Sequence, residues 1–598
     1  MGLGGGKLRG NVAKTGEKGK LSLKGGGFWG LVSSVFALSF LGAACYDGAA
    51  GIGAGICVPR RYIFGEKGSA MFDYLIKDGM LLDGSGKPGF AGDIAIQGGK
   101  IAAIGRIDAA AARVISASGL VVTPGFIDIH RHADAAVFRP DFGQLELHQG
   151  LTTIVNGNCG LSLAPVSPAH KAEILGYMSP ITGCVPPHIE TATMDGYLEQ
   201  AGRQPLPINV GMLVGGGTLR ANAAGYETER LEMSHYDRIH SQLEASLTAG
   251  ALGVSLGLGY APECFYTTQE LIRALSPVRG TGIPITVHMR QEGDGMLAAL
   301  EEMMQVARAL QVPVHISHLK AIGKRNWNDV ICRALEILDR ARQEGLDVSC
   351  DVYPYTAGST QLLHILPPEF LQGGTEAALG RIATADGRAQ LAQRLATGTD
   401  FENIVQLAGW ENIRMSTLCH PENKPYEGLS VQEAAEQLGK DPLDCCCDML
   451  ISEGGAITMI DFITCEADIA RILQAPFANV ISDSTYPTEG IPHPRLYGTF
   501  PRVIQKYVQH DKVLTLPQAV QKMTSIPADV LGLTGKGRLA VGADADLNVF
   551  DACKLQENGT YQAPAQFASG LEAVFVGGEL VLRHDELTGA TPGKVLLR

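Results

Sequence analysis

The segment GFIDIHRHAD (residues 125–134) places two histidines, His130 and His132, directly after a short apolar run that is typical of a buried strand. Other metal-binding side chains follow similar runs further along the chain: Cys159 in VNGNCGLSLAP, His288 in ITVHMR, His318 in VHISHLK and Asp483 in VISDS. Side chains at the carboxyl ends of parallel barrel strands meet at one end of the barrel. The series therefore predicts a metal site inside a barrel, and with it a hydrolase.

The middle of the chain alternates such apolar runs with helical stretches, for example LEMSHYDRIHSQLEASLTAG and GMLAALEEMMQVARAL. Repeated units of this kind indicate an α/β protein with a parallel sheet, and they suffice for a TIM-like (β/α)8 barrel over residues 124–540. Residues 358–410 carry no clear strand and interrupt the alternation. We interpret them as an insertion, which is either a lid over the barrel mouth or a peripheral helical excursion.

The two ends of the chain share a different pattern. Short strand-like segments separated by Gly/Asp turns fill residues 71–123, and similar segments, including LEAVFVGGELVLR and GKVLLR, fill residues 541–598. Period-two alternation of this kind predicts antiparallel strands. We expect both ends to pair into one small β-sandwich that flanks the barrel.

Composition restricts the class of protein. The 598 residues carry a net charge of −13 and no basic stripe, which argues against a nucleic-acid partner. Thirteen cysteines without framework spacing indicate reduced thiols and a cytoplasmic protein. The run Cys445–Cys447 fits a buried helix segment better than a redox or metal site. Composition leaves the oligomeric state open.

Residues 1–70 differ from the rest. A basic, Gly-rich stretch precedes the apolar segment FWGLVSSVFALSFLGAAC (residues 28–45), which follows the plan of a secretory signal. The competing interpretation is that translation begins at Met71, which opens the domain-like segment MFDYLIKDGMLLDGSGKPG. We favour the second interpretation and a cytoplasmic protein. Export, and any membrane association, would depend on use of the leader.

The individual motifs carry specific chemistry. His130 and His132 are two residues apart, so on a strand their imidazoles share a face and can chelate a metal. Cys159 stands between Gly157 and Gly160, which would let the backbone turn tightly and aim the thiol inward. A metal-bound thiolate adds negative charge that a neutral histidine lacks.

Two later histidines end strongly apolar runs. His288 and His318 are candidate ligands, whereas His315, three residues before His318, is expected to be structural. Lys320 shares the face of His318 and offers a cation beside the metal for a substrate carboxylate. Asp483 is a candidate general base, and then an acid towards a leaving amine.

Residues further from the metal ligands are candidates for substrate binding. Tyr353 and Tyr355, in the segment DVYPY, could donate a hydrogen bond to an oxyanion or a carboxylate. Arg495, in HPRLYGTFPR, has the forked geometry that binds carboxylates. Aromatic packing and a surface ion pair remain the alternatives for these residues.

Taken together, PGFIDIHRHAD, NGNCGLS, VHMR, HISHLKAIG, DVYPYTAGST, SDSTYPTEGIPHPRLYGTFPRV and GADADLNVFD resemble the D-aminoacylase (N-acyl-D-amino-acid deacylase) branch of the amidohydrolase superfamily. The resemblance runs in order from Met71 to Arg598. GADADLNVFD points only to the superfamily, whereas the Cys159 and His318-Leu319-Lys320 motifs point to the branch.

This resemblance implies a β-sandwich joined to a TIM-like barrel, and Zn²⁺ held tightly by Cys159, His288 and His318. It also implies a second, weaker metal site at His130 and His132 with a share in Cys159. In this scheme Asp483 matches the catalytic aspartate. Lys320, Arg495 and a tyrosine of the DVYPY segment match carboxylate-binding positions.

Two departures from the family pattern concern the substrate pocket. The loop STYPTEGIPHPR (residues 484–495) is about a residue longer than usual, and Gly216 stands where relatives often have histidine. The preferred D-side chain, whether neutral, glutamate or aspartate, and the acyl group are therefore left open.

The resemblance implies zinc-dependent hydrolysis of N-acyl-D-amino acids to a carboxylic acid and a free D-amino acid. One alternative is a cyclic-amide hydrolase of the hydantoinase or dihydroorotase kind, although those relatives usually bridge two metals with a carboxylated lysine. A non-catalytic scaffold on the same fold is the other, and it is disfavoured because the ligands and Asp483 are all present.

Overall fold

The computed structural model describes residues 71–227 and 230–598. The expectations for the leader therefore lie outside the described residues. Within the described ranges no helix has both the length and the apolar character needed to cross a membrane.

The described strands, in chain order, are β1 (Phe72–Leu81), β2 (Phe90–Gln97), β3 (Lys100–Gly105), β4 (Ala111–Ser116), β5 (Val121–Pro124), β6 (Phe126–Asp128), β7 (Leu151–Asn156), β8 (Asn209–Met212), β9 (Val214–Gly215), β10 (Val254–Gly257), β11 (Ile285–His288), β12 (Val314–Ile316), β13 (Val348–Val352), β14 (Ala357–Gln361), β15 (Ile413–Met415), β16 (Thr458–Phe462), β17 (Ala478–Val480), β18 (Leu547–Phe550), β19 (Leu571–Val576), β20 (Glu579–Arg583) and β21 (Glu586–Leu587).

The α-helices are α1 (Gln144–Leu147), α2 (Lys171–Thr182), α3 (Met194–Gly202), α4 (Gly216–Ala224), α5 (Met233–Thr248), α6 (Thr268–Ala274), α7 (Met296–Leu310), α8 (Val330–Gln343), α9 (Pro368–Leu371), α10 (Gly374–Ile382), α11 (Ala385–Thr397), α12 (Ile404–Ala408), α13 (Val431–Leu438), α14 (Pro442–Ser452), α15 (Glu466–Gln474), α16 (Arg495–Arg502), α17 (Leu516–Met523) and α18 (Ser525–Val530). A π-helix (Val503–His510) extends α16.

Parallel strands form the central barrel, in the order β6, β7, β8 continued by β9, β10, β11, β12, β13 and β17. A parallel bridge between Arg131 and Ser484 joins the last strand to the first and closes the ring. The predicted TIM-like barrel is confirmed.

The barrel elements form for simple reasons. Its strands are short and almost completely buried, so they appear in the sequence as continuous apolar runs rather than alternating ones. The intervening helices bury one stripe, as α7 does with Met296, Leu300, Met303 and Ala307. These two patterns account for the apolar runs and helical stretches in the middle of the sequence.

The two ends of the chain meet in one nine-stranded sheet. β1–β5 supply one part of it and β18–β21 the other, with β5 pairing antiparallel to β18. Residues of β1 enter two apolar clusters: Tyr74 and Ile76 enter one, and Phe72 and Leu75 the other. The predicted β-domain built from both ends is thus confirmed as a single continuous sheet.

The last segment, GKVLLR (residues 593–598), differs from the expectation. It does not join this sheet but runs beside β8, where Val210 forms a parallel bridge with Val595. The amide of Val210 donates to the carbonyl of Lys594 at 2.9 Å. β10 begins only at Val254 and pairs with Val214, so the tail satisfies backbone groups of β8 that its neighbour does not reach.

The insertion also differs from its predicted form. Residues 358–410 were expected to carry no strand, but β14 lies at their start and pairs with β16, which pairs with β15. The excursion from the barrel therefore continues to about residue 463, because β16 (Thr458–Phe462) completes its three-stranded antiparallel sheet. The sequence hid β14 because AGSTQ has no apolar run.

The cysteine run behaves as predicted. Cys445, Cys446 and Cys447 are buried on α14, and each thiol packs within the main apolar cluster. All eleven cysteines of the described residues are free thiols.

Candidate metal centre

Each predicted ligand lies at the end of a barrel strand or within four residues of it. Three of them have the left-handed backbone that non-glycine residues rarely adopt: φ is 53° at Cys159, 37° at His318 and 52° at Asp483. Neighbouring groups hold this geometry, since the amide of Asp483 donates to the carbonyl of His130 at 2.9 Å. Strain of this kind concentrates at functional sites.

The turn around Cys159 depends on its flanking glycines. Gly157 and Gly160 have φ values of 78° and 72°. A Cβ on Gly157 would collide with the carbonyl of Leu213, and one on Gly160 would lie 2.8 Å from the amide of Gly257. The tight turn predicted at this position is what aims the thiol into the barrel.

The first donor set consists of Cys159, His288 and His318, all buried. Nδ1 of His288 lies 3.0 Å from Nε2 of His318, and Sγ of Cys159 lies 3.6 Å from the same Nε2. Three barrel strands therefore bring one sulfur and two imidazole nitrogens to a common point.

The second donor set consists of His130, His132, Cys159 and Asp483. Nε2 of His130 lies 3.2 Å from Sγ of Cys159. The Nε2 atoms of His130 and His132 each lie 3.4 Å from Oδ1 of Asp483. Cys159 thus belongs to both sets and lies between them.

These donors fit zinc in chemistry and spacing. Thiolate sulfur, imidazole nitrogen and carboxylate oxygen are the ligands that zinc takes in proteins. Ligands bound to a tetrahedral zinc at about 2.0–2.3 Å lie roughly 3.3–3.7 Å from one another. The donor atoms within each set lie at comparable separations, all within 4.8 Å.

The electrostatics of the centre favour charged ligands. Burial raises the pKa of the Cys159 thiol, but the charge of His130 and hydrogen bonds from the surrounding histidines outweigh burial and hold that pKa well below its usual value. Burial likewise raises the pKa of Asp483, yet Arg495 and His130 hold it well below its usual range. The carboxylate of Asp483 is therefore negative at neutral pH, and the surroundings of Cys159 favour its thiolate form.

Arg495, the predicted carboxylate binder, lies beside the carboxylate of Asp483. Its Nη1 lies 3.0 Å from Oδ2 of Asp483, and its Nη2 donates to the carbonyl of Ser359 at 2.9 Å. It stacks over the ring of Tyr353, 4.9 Å from the centroid. The guanidinium thus forms an ion pair with Asp483, a partner that the sequence spacing did not reveal, and its Nε has no hydrogen-bond partner among the described residues.

The two tyrosines of the DVYPY segment separate. The hydroxyl of Tyr353 is buried beside the metal donors and has no hydrogen-bond partner among the described residues. The hydroxyl of Tyr355 donates to Glu557 at 2.6 Å, and its ring lies under Arg502. Because Tyr355 does not line the pocket beside the metal donors, its expected place in the substrate site is not supported.

Lys320 lies beside His318 as predicted but already has an acidic partner. Its Nζ donates to Oε2 of Glu292, while Oε1 of Glu292 lies 2.9 Å from Nδ1 of His318. Burial raises the pKa of Glu292, but Lys320 and the histidines lower it to about 2. Glu292 thus joins a metal-ligand candidate to the substrate-binding candidate.

His315 has the structural role that was expected. Its Nε2 lies 2.9 Å from Oδ2 of Asp351, and its Nδ1 lies 2.7 Å from Oγ of Ser349. The other carboxylate oxygen of Asp351 accepts from the amide of His318. His315 therefore holds the aspartate that fixes the backbone of His318.

Comparison with known proteins places this centre in a family. The model of the Amidohydrolase family matches residues 113–582. The chain belongs to the amidohydrolases, in their D-aminoacylase branch. A D-aminoacylase from Alcaligenes xylosoxydans xylosoxydans is 34% identical over 89% of this chain and 99% of its own length. An N-acyl-D-glutamate deacylase from the same organism is 35% identical over 88% and 96%.

A solved structure gives the same result for the fold. The N-acyl-D-glutamate deacylase from Bordetella bronchiseptica, complexed with zinc and a phosphonate inhibitor that mimics the tetrahedral intermediate, is 30% identical to this amidohydrolase. The match covers 88% of this chain and 100% of that one, with a TM-score of 0.75.

In this amidohydrolase the donor sets open into a pocket of about 510 Å³, including its solvent-exposed part. The excursion between β13 and β17 supplies part of the wall. Besides Glu292, four titratable lining residues were not singled out in the sequence, because no motif or spacing marks them: Tyr260, His364, Glu402 and Asp461. Glu292 was missed too, although it follows His288 by four residues.

The unusual glycine of this amidohydrolase has a structural counterpart. A Cβ on Gly216 would collide with Oε1 of Glu263 and lie 2.9 Å from Cδ2 of Leu256. Oε2 of Glu263 accepts from the amide of Gly257 at 2.6 Å, and burial raises the pKa of Glu263 to about 8. A neutral carboxyl group therefore fills the space that the missing side chain leaves.

Proposed function

We propose that this protein hydrolyses the amide bond of N-acyl-D-amino acids, with zinc, to a carboxylic acid and a free D-amino acid. The observation that carries the proposal is the position of Cys159 between two donor sets, with the carboxylate of Asp483 beside one of them. The similarity to D-aminoacylase and to N-acyl-D-glutamate deacylase supports the same activity.

In this proposal Cys159, His288 and His318 hold the tight zinc, and His130 and His132 share Cys159 in a second, weaker site. Bound zinc supplies a water of lowered pKa and polarises the amide carbonyl. Burial keeps bulk water away from the donors, since all five side chains are less than 6% exposed.

Asp483 is the proposed proton carrier. Its carboxylate is ionised, buried and fixed, with Oδ1 facing His130 and His132 and Oδ2 held by Arg495. It removes a proton from the attacking water as the new C–O bond forms, and gives that proton to the amine nitrogen as the C–N bond breaks. Arg495 acts through Asp483, by holding it in place.

Lys320 and Tyr353 are the proposed partners of the substrate carboxylate. Nζ of Lys320 lies 5.9 Å from the ring centroid of Tyr353, and both line the same pocket. With the carboxylate held there and the amide carbonyl at the metal donors, two of the substituents of the stereocentre are fixed. Only one enantiomer can then direct its side chain into the remaining space.

A cytoplasmic location is proposed on narrower grounds. Free thiols throughout the described residues support a reducing compartment. Fractionation of native cells, with the enzyme in the soluble cytoplasmic fraction, is the expected result. Recovery from the exported fraction would contradict it.

The test is a stereochemically paired panel. Zinc-loaded protein is assayed with the D- and L-forms of several N-acetyl amino acids, and with hydantoin and dihydroorotate. Hydrolysis of the D-forms alone is expected. Ring opening of hydantoin or dihydroorotate without D-deacylase activity would instead favour the cyclic-amide alternative. The position of Cys159 in both donor sets argues against that alternative, because those relatives usually have a carboxylated lysine between their two metals.

A further inference from the structure

The charges that line the pocket are strongly unequal. Among the described residues that line it, Lys320 is the one lysine or arginine, whereas four carboxyl groups line it: Glu292, Glu402, Asp461 and Asp483. Asp483 has its own partner in Arg495, and Lys320 is paired with Glu292. The pocket therefore offers one cation to a bound substrate, and that cation is needed for the α-carboxylate.

Asp461 is a pocket-lining carboxyl group that forms no ion pair within the described part of the chain, unlike Asp483 and Glu292. Its side chain is 2% exposed, and Oδ1 has no hydrogen-bond partner among the described residues. A Cβ built on Gly358 would lie 2.7 Å from Oδ1 of Asp461 and 3.5 Å from the hydroxyl of Tyr353. Asp461 and Tyr353 thus border the same space beside Gly358.

The charges of Asp461 and Glu402 follow from their burial. Burial raises the pKa of Asp461 to about 6, and the charge of Lys320 opposes this rise. At neutral pH the carboxyl group of Asp461 is therefore ionised in most molecules. Burial and the nearby Glu292 raise the pKa of Glu402 to about 8. A second substrate carboxylate entering this corner would meet the charge of Asp461 and find no free cation.

Five aliphatic side chains also line the pocket, beside the polar Ser359, Thr360 and Thr485. Leu161 and Ile181 lie on the barrel side, Ile322 follows the His318 motif, and Ile404 and Ile463 come from the excursion. A negatively charged side chain would lose its water there without gaining a partner of opposite charge or a full set of hydrogen bonds. An alkyl side chain would gain burial.

We infer that this pocket takes acyl-D-amino acids with uncharged, apolar side chains and rejects those of D-glutamate and D-aspartate, and that Asp461 is a specificity-determining residue. The inference rests on the proposed function and decides the side-chain class that it leaves open. Sequence similarity does not decide it, because the D-aminoacylase and the D-glutamate deacylase relatives are 34% and 35% identical.

The first test needs no variant. We expect kcat/KM of the zinc-loaded wild type for N-acetyl-D-leucine to exceed that for N-acetyl-D-glutamate and N-acetyl-D-aspartate by at least about 100-fold, because like charges in a desolvated site repel strongly. Equal or better hydrolysis of either acidic substrate, or a preference for N-acetyl-D-lysine, would overturn the inference and leave the proposed function standing.

If no N-acetyl-D-amino acid is hydrolysed, the proposed function fails, and binding still tests the pocket. We expect N-acetyl-D-leucine to raise the Tm of the zinc-loaded protein, and N-acetyl-D-glutamate at the same concentration to leave it unchanged. The reverse order of stabilisation would overturn the inference independently of activity.

The second test addresses Asp461 itself. Asp461→Asn keeps the size of the side chain and removes its charge, so the leucine-to-glutamate ratio of kcat/KM should fall by about tenfold or more. Glu411→Gln, which removes a charge from an exposed residue of the same excursion, should leave the ratio unchanged. An unchanged ratio in folded Asp461→Asn would show that Asp461 does not set the specificity.

Discussion

Nη1 of Arg495 lies 3.0 Å from Oδ2 of Asp483, and both side chains are buried. The pairing leaves Oδ1 of Asp483 facing the two histidines of the second donor set. One guanidinium therefore fixes the orientation of the proposed proton carrier and stabilises its charged form. The sequence alone predicts that Arg495 binds the substrate carboxylate, and it does not reveal the pairing with Asp483.

Arg495→Lys tests this relationship. Lysine keeps the charge but lacks the planar fork that reaches Asp483 and the carbonyl of Ser359 together, so we expect kcat to fall by at least about tenfold with a smaller change in KM. Steady-state kinetics with an N-acetyl-D-amino acid give both values. Arg502→Lys, on the same helix and outside the pocket, is the matched control and should stay near wild type. A rise in KM with unchanged kcat would instead indicate a direct substrate contact.

The two donor sets should respond differently to loss of a histidine. His288→Ala removes a nitrogen from the first donor set, which leaves Cys159 and His318 as its remaining ligands. This variant should keep little tightly bound zinc after dialysis. His132→Ala touches only the second set and should retain about one zinc per chain. Elemental analysis of both variants gives the answer. Equal zinc loss in the two would contradict the assignment of a tight and a weak site.

Glu292→Gln tests a residue that the sequence did not reveal. Its carboxylate touches both His318 and Lys320, and partners of ligating histidines typically contribute 10–100-fold to metal affinity. We expect zinc affinity, measured by competition with a chelator, to fall by about that factor, and KM to rise because Lys320 loses its fixed position. Asp294→Asn, two residues along the chain and paired with Arg325 at the surface, should change neither quantity. Unchanged zinc affinity in Glu292→Gln would rule out its support of His318.

Gly216→Ala tests the packing of Glu263. The added methyl group collides with the carboxyl group of Glu263, so we expect a loss of about 1–3 kcal/mol in the free energy of unfolding. Gly380→Ala is the matched control, since nothing lies within 4 Å of the added atom on α10 and the change should be neutral or stabilising by up to about 1 kcal/mol. Urea unfolding of both variants measures the difference. A Gly216→Ala protein as stable as wild type would show that Glu263 moves aside freely.

The sequence could predict the barrel because its strands and ligands leave strong local signals. Buried parallel strands are apolar runs, and ligands at their ends stand at fixed places after those runs, as His288 and His318 do. β14 left no such signal, because AGSTQ is polar and its strand pairing with β16 is not visible in the sequence. The segment around Val595 was predicted to join the sheet formed by the two chain ends, but it pairs with Val210 of β8. A strand-like pattern does not show which strand it pairs with.

Pairwise partners in the site were beyond the sequence for the same reason. Asp483 and Arg495 are close along the chain, yet their ion pair depends on how the intervening loop folds. Glu292 and Lys320 follow successive barrel strands. The hydroxyl of Tyr355 is bound by Glu557, a residue of the distant C-terminal region. The motifs predicted the candidate site residues, whereas the contacts between these residues depend on the fold.

The most direct test of the central claim is the activity of Asp483→Asn at full zinc content. Asparagine keeps the shape of the side chain but cannot carry the proton, so we expect zinc content near that of wild type and a fall in kcat of at least about 10²-fold on an N-acetyl-D-amino acid. Near wild-type kcat in a zinc-loaded Asp483→Asn protein would contradict the account, because the hydrolysis would then proceed without the proton carrier on which it rests.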